Sequence, residues 1–252
     1  MAGTRTECVI SGLREAIVSG RFSPGDRLPT FAEIERGYEV SRSVAQAAVA
    51  HLKRGGFVAS RHRSGLFVAE HPPHLSRYGL AIPVSRSDPE WSRFHSGLVR
   101  EMEVLNGDSC DVDYRLFDGV NDLVVGAETH RALRQDVEAH RLAGLILSPG
   151  TFSLADEPFC CSGAFPKVFI FCHESENRRP VVSADGRAMI DRAFSWLASR
   201  GRRRLAVLHV ADTMSLLTAD DFERHGFTFR PHWKQAVGRS HPEVVFNLVR
   251  LL

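Results

Sequence analysis

Between Val40 and Ala69 the chain contains no aspartate or glutamate, yet it carries Arg42, Lys53, Arg54, Arg61 and Arg63. The chain as a whole is nearly balanced, with 32 basic and 30 acidic residues, so this excess is local. A basic segment free of carboxylates suits a surface that must meet phosphates. The same stretch is ordered in its apolar residues. Thr30 and Glu33 have the spacing of a capping box and open a short helix carrying Phe31, Ile34 and Tyr38 on one side. Ser41 is placed to cap a second helix, in which Ala45, Ala48, Val49 and Leu52 repeat at i, i+3, i+4 and i+7. Gly55 and Gly56 end it. Residues 57–60 and 66–69 then read as two short strands around a basic tip formed by Arg61, His62, Arg63, Ser64 and Gly65.

Two short helices, the second with a polar N-terminal face, followed by a basic ribbon describe a winged helix-turn-helix. Over roughly residues 6–70 the segment resembles the DNA-binding domain of the GntR class of bacterial transcription regulators. The resemblance is carried by residues 13–17, by Ser19 to Thr30, by Val40, Ser41 and Arg42, by Ala48, Val49 and Leu52, and by Gly65 to Ala69. The chain departs from that pattern at Ala32 and Gln46, where the class usually has arginine. Two further departures are Glu39, where the turn commonly has glycine, and Arg63, in a normally glycine-rich wing tip. The resemblance implies DNA contacts from Arg42, Ser43, Arg61 and Gly65, and the residues themselves add Thr30, Gln46, His62 and Arg63 as candidates. Arginine and glutamine at the start of such a helix are suited to guanine and adenine edges in the major groove. The wing residues Arg61, His62 and Arg63 are suited to the phosphate backbone.

Residues 9–19 are expected to form a helix with Ile10, Leu13 and Ile17 inward. Residues 70–76, with Pro72 and Pro73, are expected to be a stiff, solvated connector and the domain boundary. From Tyr78 onward strand and helix patterns alternate. Strands are expected at 78–84, 111–117, 142–147, 167–171 and 205–210. Helices are expected from Asp88 with a stripe of Trp91, Phe94, Leu98, Met102 and Leu105, at 123–140, at 187–200, at 215–225, and after a capping box at Ser240 and Glu243. That order calls for α/β architecture, a parallel sheet covered on both faces, with ligands beyond the C-terminal strand ends. The sequence has neither a P-loop nor a Gly-x-Gly-x-x-Gly turn.

Residues 79–83, 142–147, 182–187 and 201–208 make this part similar to the two-lobed, periplasmic-binding-protein-like sensor of LacI/GalR regulators. A GntR-type head on such a sensor is the layout of arabinose-repressor-like proteins. The resemblance implies domains at 6–70 and 78–252 joined by a linker at 71–77. It also implies a homodimer on double-stranded operator DNA, and a small effector, a sugar or related metabolite, that changes operator affinity. Effector contacts are expected from Ser85, Trp91, Phe94, Ser148, His173, Glu174 and Asp185. Measured against that family the sensor is expected to stop short of a complete second lobe, leaving apolar side chains exposed near the C-terminus. No apolar run is long enough to span a membrane and the N-terminus lacks a secretion signal, which points to the cytoplasm. The five cysteines have no framework spacing, and the adjacent Cys160 and Cys161 read as small wall residues. No cofactor, metal site or catalytic constellation is expected. An enzyme reading would draw on His209, Asp212, His225 and His232, which no motif organises. A third reading is a ligand sensor whose winged helix, altered at Ala32, Glu39 and Gln46, no longer binds DNA.

Overall fold

The computed structural model describes residues 4–62, 64–108, 111–121, 126–161, 165–170, 180–210, 217–237 and 242–251. It divides into two units, 1–183 and 184–252, each taken by itself below.

The first unit begins with α1 (Arg5–Val18). It starts earlier than its apolar repeat suggests, because Thr4 and Glu7 form a reciprocal capping box and so satisfy the first free N–H groups. Then follow α2 (Phe31–Tyr38), opened by the Thr30 and Glu33 box, and α3 (Arg42–Arg54). Ser41 stands at the start of α3, but its hydroxyl makes no capping bond and lies 2.9 Å from that of Ser43. The antiparallel ribbon β1 (Val58–Arg61) and β2 (Gly65–Val68) is displaced by one residue from the expected strands. A single core of Val9, Leu13, Ile17, Leu28, Ile34, Ala45, Ala48, Val49, Leu52, Phe57, Val58, Leu66 and Val68 joins these five elements.

The connector is not a solvated spacer. It contains a helical turn, α4 (Pro73–Ser76), in which Pro73 and Ser76 are buried. The Ser76 hydroxyl donates to the carbonyls of His71 and Pro72, and the His74 ring stacks on Phe57 with centroids 5.8 Å apart.

Five strands, all paired in parallel, form the sheet of this unit. They are β3 (Arg77–Ile82), β4 (Asp113–Asp118), β5 (Gly144–Leu147), β6 (Lys167–Ile170) and the two-residue β7 (Val181–Val182), in the order β4-β3-β5-β6-β7. Successive residues of β3 serve opposite faces. Leu80 and Ile82 pack with Val99 and Met102 of α5 (Arg93–Asp108). Ala81 packs with Phe117, with Leu133 and Val137 of α6 (Gly126–Glu138), and with Phe159 of α7 (Pro158–Cys161). A 3-10 turn at Phe152–Asp156 precedes α7. The expected stripe on α5 is rotated. The helix starts after Ser92, which exchanges hydrogen bonds with His95, and it buries His95, Val99 and Met102 while Leu105 is 46% exposed. Gly79 leaves no room for a side chain, since a Cβ there would stand 2.9 Å from Leu145 and 3.1 Å from Phe117. The buried Asp136 ties α6 to β4 through Arg115 and to the next turn through Arg141 at 2.7 Å.

The second unit contains α8 (Gly186–Ser199), the parallel pair β8 (Val207–Val210) and β9 (Lys234–Val237), α9 (Ala219–Arg224), a 3-10 turn at Pro231–Trp233, and α10 (Pro242–Leu251). Its core is Ile190, Phe194, Leu217, Phe222 and Phe227. The expected capping box at Ser240 lies outside the described residues. Asp221 is fully buried and accepts from the Thr218 backbone at 2.7 Å, while Arg187 reaches it at 2.6 Å and Arg224 at 3.2 Å. The Thr218 N–H, the Thr218 hydroxyl and the two arginines hold its carboxyl below the usual range against the opposing effect of burial.

Two outcomes are expected. Gly79→Ala should lower the stability of the first unit by about 1–3 kcal/mol in urea denaturation, because the added methyl meets packed side chains. Asp221 has a depressed carboxyl pKa, so its contribution is present above the ordinary aspartate value and lost as the pH falls through the folded one. The melting temperature of the wild type should therefore fall more steeply below about pH 4 than that of Asp221→Asn, which should itself be less stable by about 1–3 kcal/mol at neutral pH.

Candidate functional site

The exposed face of α3 follows from its buried one. With Ala45, Ala48, Val49 and Leu52 turned to the core, Arg42, Ser43 and Gln46 are exposed. Arg42 lies with its guanidinium 5.7 Å from the Phe31 ring centre and 3.6 Å from Glu35. The turn ahead of α3 runs through Glu39, which has φ 52° and ψ 45°, a left-handed conformation that glycine adopts without strain. Thr30 serves as a helix cap. Its hydroxyl receives the Glu33 N–H, and its own N–H donates to the Glu33 carboxylate at 2.7 Å, holding that carboxyl below the usual range.

The wing is tied to α3 where Lys53 donates to the Ser60 hydroxyl at 2.5 Å. Gly65, opposite Arg61 in the ribbon, has φ 111°, which explains glycine at that turn. Arg61 lies over the Phe67 ring at 4.6 Å and donates to Glu70 at 2.6 Å. His62 is exposed, and Arg63 lies outside the described residues. Arg27 lies in the Ser19 to Thr30 segment but is not among the expected contacts. It bridges to Phe67 in the manner of a third strand, and its guanidinium flanks Gly65, where a Cβ would stand 3.5 Å from Nε. The signal available was its place beside Leu28, whose N–H bonds to Leu66.

A second candidate site lies at the C-terminal edge of the sheet. From β3 the chain passes to α5 on one face, whereas from β5 it passes to the turn and α7 on the other. The β3/β5 boundary is therefore the topological switch point, where a crevice opens in doubly wound sheets. Ser85 and Ser148 follow these two strands. The Ser148 N–H bonds to the Ala81 carbonyl, its hydroxyl is fully buried without a hydrogen-bond partner among the described residues, and Gly150 approaches Pro83. Asn121, after β4, donates to the Gly150 carbonyl at 2.6 Å and was also missed, though it stands just past a strand end. Trp91 donates to the Ser96 hydroxyl at 2.9 Å and packs with the α5 core, so it braces the helix start. Phe94, partly exposed, stands against His95 with centroids 6.0 Å apart. His173 and Glu174 lie outside the described residues. Asp185 belongs to the second unit, where it caps α8 by accepting from the Ala188 N–H at 2.9 Å. Burial raises the Cys160 thiol to about 11, which makes it a poor nucleophile at neutral pH. Among the described residues no group of three or more His, Cys, Asp or Glu is placed to hold a metal ion. No described helix is long and apolar enough to cross a membrane.

These elements define a winged helix-turn-helix followed by an α/β domain with a doubly wound parallel sheet. Residues 5–68 match the family described as bacterial regulatory proteins, gntR family, and the N-terminal domain is of that type. A curated relative, the HTH-type transcriptional regulator TauR of Rhodobacter capsulatus, is 34% identical over 79 residues. That alignment spans 31% of this chain and only 16% of the relative's length. Among solved structures, the N-terminal domain of AraR in the crystal structure with mutant ORR3 is 26% identical over 27% of this chain and 99% of that one, with a TM-score of 0.27. A transcriptional regulator CelR–cellobiose complex is 14% identical over 99% of this chain and 71% of that one, with a TM-score of 0.45.

The left-handed Glu39 gives a direct check of the turn. Glu39→Gly should raise the stability of the head by about 1 kcal/mol, the strain removed exceeding the chain entropy glycine adds. Chemical denaturation of the two proteins measures it.

Proposed function

We propose that this protein is a cytoplasmic, sequence-specific transcription regulator with a GntR-type head at residues 6–70, a connector at 71–77 and an effector domain at 78–252. The head binds double-stranded operator DNA as part of a homodimer. The observation that carries the reading is the exposed Arg42, Ser43 and Gln46 face of α3, set beside the wing arginine Arg61 on one rigid core. The arabinose-repressor-like layout supports a periplasmic-binding-protein-like role for the α/β domain. In this reading a small polar metabolite, such as a sugar, sits at the β3/β5 edge near Ser85 and Ser148. The buried Ser148 hydroxyl, unpartnered among the described residues, supports a polar ligand there. Binding rather than turnover is favoured, because a GntR-type head is regulatory.

Fluorescence anisotropy on the chain's own upstream DNA, across salt concentration, tests the first half. Arg42→Ala should weaken specific binding by about 1–3 kcal/mol. Gln46→Arg should change the preferred base at one position of the site. Binding indifferent to Arg42 and to Arg61 together would defeat the docking scheme. For the second half, a sugar at about 100-fold its dissociation constant should stabilise the protein by ~2.7 kcal/mol in a thermal-shift screen. Ser148→Ala should abolish that shift, and assays for product on the same mixtures should show none.

A further inference from the structure

Arg61 is engaged before any DNA arrives. It donates to Glu70 Oε1 at 2.6 Å, and its guanidinium lies 4.6 Å from the Phe67 ring centre. Glu70 lies just past the end of β2, and its carboxylate is seated against the turn before α2, where a Cβ on Gly25 would stand 3.3 Å from Oε2. The Arg61 and Glu70 side chains are 54% and 62% exposed, so water and solutes reach both. An exposed pair of this kind contributes little to stability. A DNA phosphate can therefore replace the carboxylate without disturbing the head. A fixed carboxylate in the same place would instead face the duplex as a like charge. Backbone links Glu70 to α4, where Ser76 fastens His71 and Pro72. The position of its carboxylate is thus set between the wing and the connector.

We infer that Glu70 is an internal competitor for DNA phosphate. It occupies Arg61 in the free protein and is exchanged for a backbone phosphate on binding, so it sets how readily the wing engages. This rests on the DNA-binding reading of the head. Because a backbone contact is indifferent to sequence, a labelled duplex of arbitrary sequence, about 20 base pairs long, is a sufficient probe. The full chain would be titrated against it by anisotropy, as wild type, Glu70→Gln, Arg61→Ala and the double variant. Glu70→Gln should tighten binding roughly two- to fivefold, as expected from releasing an exposed ion pair. Arg61→Ala should weaken binding, and the double variant should bind no more tightly than Arg61→Ala alone. A gain from Glu70→Gln that persists undiminished without Arg61 would reduce the effect to general charge repulsion and overturn the inference. Weaker binding by Glu70→Gln would overturn it too, making Glu70 a support that holds Arg61 in place. Absence of duplex binding by the wild type and every variant would instead defeat the DNA-binding reading, and the inference with it.

Discussion

The head rests on the burial of one face of α3. Ala45 and Ala48 are fully buried and extend no further than Cβ, so α3 can lie close to α1, whose Val9, Leu13 and Ile17 fill the same core. Each large apolar side chain removed from water contributes about 1.5–3 kcal/mol, whereas an exposed ion pair contributes about 0–1 kcal/mol. The core therefore fixes the geometry, and the arginines are carried on it without helping to hold it together. That division leaves Arg42 and Arg61 free to exchange partners while the scaffold stays intact.

The sheet follows the same logic with a different consequence. Strand β3 is hydrogen-bonded on both sides and supplies Leu80 and Ile82 to one face and Ala81 to the other. Closeness on the α6 face is bought by Gly79, which lets Leu145 and Phe117 approach the backbone. Helices leaving toward opposite faces part the chain at the β3/β5 boundary, so the switch point is a product of topology. Loops after three strands then meet there, linked by Asn121 to Gly150 and by Val120 and Asn121 to the end of β3.

What the sequence made legible was local or strongly periodic. The Thr30 and Glu33 box and the α3 core positions involve residues within one or two helical turns, and the structure has them as read. The start of α1 was placed late because the polar Thr4 and Glu7 box lies ahead of the apolar repeat. On α5 the expected stripe follows Trp91 and Leu105, whereas the Ser92 and His95 pair starts the helix about one turn after Asp88 and the inner face falls on His95, Val99 and Met102. Strand β7 has only two residues, and β9 opens on the polar Lys234 and Gln235, so neither shows a strand period and both exist through pairing with neighbours. The apolar period of α3 shows which of its basic residues face outward. Nothing in the sequence shows Glu35 and Glu70 as the acidic partners of Arg42 and Arg61, since those pairings arise through folding rather than through adjacency.

The end of α3 links that helix to the wing in a particular way. Gly56 adopts φ 81°, its N–H bonds to the Lys53 carbonyl, and the next residue, Phe57, bonds back to Leu52 before β1 begins. Two backbone bonds and a buried ring thus lock the angle between helix and ribbon. Helix and ribbon behave as the two prongs of one rigid fork. Once the helix prong has engaged a surface, the wing prong is presented at a high effective concentration and needs no search of its own. If the head binds DNA as proposed, the same rigidity would make the fork intolerant of a groove whose curvature does not match its span, and duplex shape would be sampled along with its bases.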